Sequence, residues 1–320
     1  VFHRPQLFVA AAVVMSWFAA AAFSAELTAE KSEKGVVVKI DGKLFTEYLV
    51  RSGNMPILWP ILGPTEKRMT RDYPMVRHAD EAKDHVHHRS MWCTHGSVNG
   101  VNFWTEWPSK AGEKIGTVQH VAFTEIAGGT TAVIATRNDW LAPGGRRVCS
   151  DERRLRFGAA DDARWIDFDI TLKATDGDVV FADDKEGFFG LRVAQSLCVD
   201  AKRGGKLVNS NGLVDGDAWG KPAAWIDDHG PIDGRTVGIA IFNHPDSLRY
   251  PTYWHARTYG LLAANPFGVR AFTGDNKKDG SLKIAAGGAA QFRYRVLFHC
   301  GDEREGKVAE RFAEYAKEKK

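Results

Sequence analysis

The chain has 320 residues, with 43 Lys plus Arg against 40 Asp plus Glu and a formal net charge of +3. So small an excess, with both signs interspersed, leaves no basic footprint for nucleic acid, and no Gly-rich phosphate loop stands at a strand-to-helix junction. The length is ample for one large or two modest cores.

The first element is an apolar run from Leu7 to Phe23, preceded by His3 and Arg4, interrupted only by Ser16 and closed by Ala22-Phe23-Ser24-Ala25. A basic start, an apolar middle and a small-residue end predict a secretory signal peptide over residues 1–25, with an uncleaved anchor as the alternative. Export to the periplasm or the extracellular space follows. No second apolar segment of membrane length occurs, so after cleavage a soluble chain without stable membrane insertion is expected. Cys93, Cys149, Cys198 and Cys300 are far apart and show no CxxC spacing. They read as small buried side chains, with at most one disulfide.

Period-two alternation then recurs from Gly35 to His299. Val36–Ile40, the turn Asp41-Gly42 and Lys43–Val50 read as a hairpin, because Asp-Gly suits a type I′ turn. Val118–Ile126 and Thr130–Thr136, joined through Ala127-Gly128-Gly129, read as another. In Trp165–Leu172, Ile166, Phe168, Ile170 and Leu172 share one face, while Asp167, Asp169 and Thr171 on the other predict a half-buried strand. Gln291–His299 behaves likewise, with Phe292, Tyr294, Val296 and Phe298 set against Arg293 and Arg295.

The tail alone is clearly helical. Asp302 and Glu305 resemble a capping pair, and Val308, Phe312, Tyr315 and Ala316 recur at helical spacing. Strands without intervening helices exclude a doubly wound fold. The expected class is all-β: a large antiparallel two-sheet sandwich over residues 26–301, with a C-terminal α-helix over 302–320 packed on the same domain.

Asp84-His85-Val86-His87-His88-Arg89-Ser90 is the most unusual stretch. Burying so many polar groups unpaired would cost about 1–3 kcal/mol each. In an extended segment His85 and His87 share one face and His88 points the other way. The functional reading is a set of imidazoles in a cleft, with Asp84 fixing a tautomer and Arg89 holding an anion; the structural one is a solvated loop. Trp92, His95, Asn99, Asn102, Trp104, Glu106 and Trp107 follow, mixing aromatic faces with polar groups. That mixture suits the apolar C–H faces and hydroxyl fringe of sugars, and it equally suits a Trp-rich core. Trp59, Trp219, Trp225 and Trp254 lie in Gly/Pro-rich surroundings where strands end and clefts form. Glu186, beside Gly187 at the start of an apolar strand that carries Arg192, is the carboxylate most suited to catalysis; Asp183 and Asp184 read as salt-bridge partners. His244 and His255 supply two further imidazoles, each by itself more naturally structural.

At these residues the chain resembles a bacterial family of exported proteins filed under the name methane oxygenase PmoA, otherwise a domain of unknown function. The matching stretches are Thr70–Met75, Asp84–Ser90 (with Val86 where the family usually has proline), Asn99–Trp104, Lys185-Glu186-Gly187 and Tyr259–Gly268. The resemblance brings Arg71 and Asn265 into the candidate site. Its filed name implies a histidine-ligated copper oxidoreductase, and imidazole suits Cu and Zn, so a metal at His85, His87 and His88 is the alternative to a metal-free site. The strand pattern and Trp254–Gly260 also look like the galactose mutarotase-like supersandwich, whose enzymes act on sugars with a histidine acid and a carboxylate base. No carboxylate after His255 stands out as that base, and Glu186 takes its place.

The expectation is therefore an exported carbohydrate-active enzyme working by acid–base chemistry without a cofactor: hydrolysis, elimination or epimerisation. His85, His87, His88, Glu186 and His255 are the catalytic candidates. Arg71, Asp84, Arg89, Asn99, Trp104, Arg192, Trp219, His244 and Asn265 are the substrate-binding candidates. A non-catalytic carbohydrate-binding protein and the metal oxidoreductase are the alternatives.

Overall fold

The computed structural model describes residue 2 and residues 25–319. The expected signal segment thus lies outside the described residues, apart from Phe2 and Ala25. In chain order the strands are β1 (Leu27–Lys31), β2 (Gly35–Ile40), β3 (Lys43–Ser52), β4 (Met55–Ile61), β5 (Met91–His95), β6 (Val101–Asn102) and β7 (Lys114–Ile115). There follow β8 (Thr117–Ala127), β9 (Ala132–Leu141), β10 (Arg147–Ala160), β11 (Ala163–Lys173), β12 (Val179–Phe181), β13 (Gly187–Arg192) and β14 (Lys206–Asn209). The last are β15 (Trp225–Ile232), β16 (Arg235–Asn243), β17 (Tyr253–Arg257), β18 (Leu261–Asn265), β19 (Leu282–Ile284) and β20 (Ala289–Cys300). Among the described residues, two short α-helices, α1 (Val269–Thr273) and α2 (Val308–Tyr315), and two single turns of 3-10 helix, Val199–Ala201 and Asp215–Ala218, complete the fold.

Two eight-stranded antiparallel sheets dominate, in the spatial orders β1-β2-β3-β4-β5-β13-β18-β17 and β14-β15-β16-β20-β11-β10-β9-β8. The expected hairpins form. Asp41 and Gly42 both take positive φ, 49° and 76°, as a type I′ turn requires, and β8 pairs antiparallel with β9. The inner faces of the sheets interlock through large apolar rings: Phe189 of β13 stacks on Tyr294 of β20 at 4.9 Å, and Phe45 of β3 meets Phe157 and Phe298 edge-on at 6.1 Å. No helix among the described residues is long and apolar enough to cross a membrane. All four cysteines are free thiols, three of them buried.

Two local expectations are corrected. Asp167 and Asp169 of β11 were expected to face solvent, yet both are buried. Arg156 and Arg295 pair with Asp167, and Arg293 lies 3.4 Å from Asp169. The tail roofs this charged face: Arg295 sits 4.4 Å from the Tyr315 ring centre, and the Glu318 carbonyl accepts from Arg293. Period-two patterning marks a polar face, and ion pairing lets that face be buried once a second layer covers it. The helix is also shorter than expected. Asp302 and Glu305 do exchange reciprocal bonds, Asp302 N–H donating to Glu305 and Glu305 N–H to Asp302. They close a separate turn, however, and α2 begins only after Lys307, in the left-handed region at φ 50°.

Candidate active site

The outer face of the first sheet, turned away from its partner sheet, carries the polar cluster. Four segments converge there: the loop before β5, the turn leading into β13, strand β17 with the turn after it, and the loop between β6 and β7. They enclose a cleft of about 480 Å³, lined among others by His85, His87, Asp184, Lys185, Glu186, His255, Arg257 and Tyr259.

The first half of the site is built on Asp84. Arg71 donates to its Oδ1 at 2.8 Å and Arg192 at 3.0 Å, and both guanidiniums are about 1 % exposed. Arg71 also holds the backbone carbonyls of Asp84, His85 and His88 at 2.8–3.1 Å, so one buried side chain sets the path of the whole histidine loop. Two buried cations around one carboxylate explain its acidity: burial pushes Asp84 up, but the His85 hydrogen bond and the Arg192 and Arg71 charges outweigh it and hold the group well below the usual range. Burial and the Arg192 charge in turn push Arg71 down to about 10.

Asp84 Oδ2 bonds His85 Nδ1. An ionised carboxylate can only accept, so the pair holds a proton on Nδ1 of His85 and makes Nε2 the nitrogen that can exchange a proton with a ligand. The segment is a turn and not the extended run expected: His85 has φ 42° and its carbonyl accepts from His88 N–H at 2.9 Å. His88 therefore lies behind His85 instead of on an opposite face. It is buried, stacked between His85 (4.7 Å, 9°) and Trp92 (5.3 Å, 21°), and its Nδ1 accepts from Arg192 at 3.2 Å. Tyr259 stacks on His85 at 5.1 Å. His87 lines the cleft; burial, with help from His85, Arg71 and Arg192, pushes its imidazole down to about 4.

The second half is built on β13 and β17. Arg257 donates its Nε–H to His255 Nε2 at 3.1 Å, which places the His255 proton on Nδ1, 3.9 Å from Glu186 Oε2. Burial, then the Arg257 and Lys185 charges, push His255 down to about 3. Glu186 is also ion-paired with Lys185. Asn265 of β18 does not line the cleft; its Nδ2 donates to the carbonyls of Asp184 and Lys185 at 2.9 and 3.0 Å and so fixes the turn that presents Glu186. Trp219 stands behind Arg257, with its ring centre 5.0 Å from the guanidinium carbon.

Four candidates lie elsewhere. Arg89 turns away and pairs with Glu106, 2.8 Å from Oε2. Asn99 bridges backbone groups of Asp178 and Val180 in an exposed loop. Trp104 is fully buried against Trp92 at 5.1 Å, and His244 belongs to the second sheet, under the Tyr315 ring at 4.9 Å. Trp92, Trp140 and Trp254 are likewise fully buried, so the tryptophans build the core more than the cleft wall. Sequence reasoning passed over Lys110, Glu113, Arg257 and Tyr259 as site residues; the signal for the last two was their place in the same Trp254–Gly260 stretch as His255.

His85, His87 and His88 do not suit a metal held by all three imidazoles. A metal lies in the plane of each imidazole that binds it, and His85 and His88 are stacked face to face, so their planes do not converge. Among the described residues the donor group with metal-like spacing is Asp227, His229 and Glu303, on the second sheet. There Asp227 already receives His229 and His299, each at 2.7 Å, as a hydrogen-bonded network.

The chain belongs to the Family of unknown function (DUF6807), whose profile it matches over residues 35–313. No curated protein matches its sequence. Among solved structures it is similar to a beta-arabinopyranosidase, at 13% identity and a TM-score of 0.35, over 87% of this chain and 39% of that one. The alpha-galactosidase from Lactobacillus brevis is similar at 7% identity and a TM-score of 0.41, over 87% and 40% of the two chains. A protein from Synechocystis sp. PCC 6803 is similar at 13% identity and a TM-score of 0.34, over 88% and 93%. The chain spans about two fifths of the length of the first two.

Proposed function

We propose that this member of the DUF6807 family is an exported carbohydrate-active enzyme in which His85 and Glu186 exchange protons with a bound sugar. The observation that carries the reading is the convergence of the hydrogen-bonded Asp84–His85 pair and of Glu186, with His255 3.9 Å away, on one polar cleft. Hydrolysis, elimination and epimerisation of sugars each need protons to be given and taken by positioned groups at the reacting bond. His87 and His255 are neutral at neutral pH, which removes them as imidazolium donors. His85, backed at Nδ1 by Asp84, is the donor through Nε2 in its imidazolium form, and Glu186, ion-paired with Lys185, is the acceptor. Export rests on the basic start and apolar run of the first 25 residues.

The test is a screen of the full chain against glycans and keto-sugars, with products read by mass spectrometry. Once a substrate is found, His85→Ala and Glu186→Gln should each lower kcat by about 10²–10⁴-fold without moving the unfolding temperature. Turnover that survives both substitutions would remove the acid–base assignment. Binding without any turnover would reduce the cleft to a carbohydrate-binding site.

A further inference from the structure

The charges of the cleft are unevenly partnered. Lys185 is tied to Glu186. Glu113 is occupied by Asn102 Nδ2 at 2.9 Å and by the backbone and hydroxyl of Ser109 at 2.6 and 2.9 Å, with Lys110 beside it. Asp184 accepts from the Glu186 N–H at 3.0 Å. Arg71 and Arg192 share Asp84.

Lys110 and Arg257, which both line the cleft, have no carboxylate partner among the described residues, and of the two Arg257 is the one whose side chain is held in place. Among the described residues its one hydrogen bond is the Nε–H donated to His255 at 3.1 Å, and it has no carboxylate partner. That bond holds one edge of the guanidinium, and the Trp219 ring, 5.0 Å from Cζ, covers a face. Both Nη groups of this oriented fork remain for the cleft that Arg257 lines. A guanidinium held in this way matches the two oxygens of a carboxylate, and it is more weakly hydrated than an ammonium, so the exchange of water for a carboxylate favours binding. The neighbouring His255 is neutral and Lys185 is neutralised by Glu186. Arg257 thus offers one unpaired guanidinium beside a neutral imidazole, in a cleft that also carries the Asp184 and Glu186 carboxylates, which suits a singly charged carboxylate better than a dianionic phosphate.

We infer that the sugar taken by this cleft carries a carboxylate, as a uronic acid does, and that Arg257 holds that carboxylate. The inference rests on the reading of the cleft as a carbohydrate site and narrows it to acidic sugars.

Titration calorimetry on the full chain tests it, comparing glucuronate and galacturonate with glucose and galactose, and adding inorganic sulfate and phosphate as separate ligands. The uronates should bind at least ~10-fold more tightly than their neutral parents, the gain expected from a charge-assisted fork. Arg257→Gln should erase that preference, and Arg257→Lys, which keeps the charge and loses the fork, should fall between. Equal affinity for acid and neutral sugars in the unsubstituted protein overturns the inference and leaves the carbohydrate reading standing. Sulfate or phosphate binding as tightly as the uronates also overturns it, in favour of a general oxyanion site. Failure of every sugar, neutral or acidic, to bind overturns both.

Discussion

Arg89 stands one residue beyond the histidine cluster, yet its guanidinium is committed to Glu106, and both side chains are largely withdrawn from solvent. Its substitution therefore belongs to stability and not to binding. Arg89→Ala leaves Glu106 without its partner and should cost at least ~1–3 kcal/mol in urea unfolding, with sugar affinity unchanged; a selective loss of affinity at full stability would place Arg89 back in the site. The imidazoles make a second prediction at this scale. His87 and His255 titrate at about 4 and about 3 in the folded chain, lowered first by burial and then by nearby positive groups. In the unfolded chain both take a proton near ~6.5. Below that value the unfolded state binds protons that the folded state refuses. The stability they contribute is thus complete above ~6.5 and is lost as pH falls through the folded values. Asp84 acts in the same direction in more acid solution, since its folded value is also lowered. The unfolding temperature should drop between pH 7 and pH 5, and His87→Gln should flatten that slope. An unchanged slope would mean that His87 is not withdrawn from protonation.

At the scale of elements, the site depends on how closely β13 runs beside β5. Gly187 is paired with His95, and a Cβ on Gly187 would fall 2.3 Å from His95 Nδ1. His95 cannot yield freely, because it is buried and its Nε2 is bonded to the Ala182 carbonyl at 2.8 Å. Gly187→Ala should therefore cost ~1–3 kcal/mol through overpacking and should also displace the adjacent Glu186. The expected result is a lowered unfolding temperature together with lowered kcat. Full stability with full activity would show that the close approach is relaxed in solution. The same close packing explains why the strands were readable before the site was: Phe188 and Phe189 announce a buried strand, whereas the Asn265 amide that holds the turn before it comes from β18, five strands further along the chain.

For the whole molecule, the terminal helix closes a second, smaller core on the outer face of the second sheet. Val308 and Tyr315 pack there with Trp225, Phe242 and Leu297, above the buried Arg293–Asp169 and Arg295–Asp167 pairs. Tyr315→Ala opens this layer and should cost ~3–5 kcal/mol, the range for removing a large buried ring. A loss below ~1 kcal/mol in denaturant unfolding would mean that the helix is not a stabilising layer.

The alternation of apolar and polar residues determined the sheet class, both hairpins and the helical tail, because such patterns are local and repeat within a few residues. The composition of Asp84–Ser90 likewise marked a polar cluster that a core would not hold by itself. Which of its members meet Glu186 and His255 was decided by tertiary structure. Arg71 and Arg192, distant from each other in the chain, bend the loop around Asp84, bring His85 and His87 to the cleft and draw His88 behind them. Residues of identical type, such as Arg89 and Arg257, were assigned to an ion pair and to a cleft in the same way. A side chain's type states what it can bond, and only the packed chain states which partner is within reach.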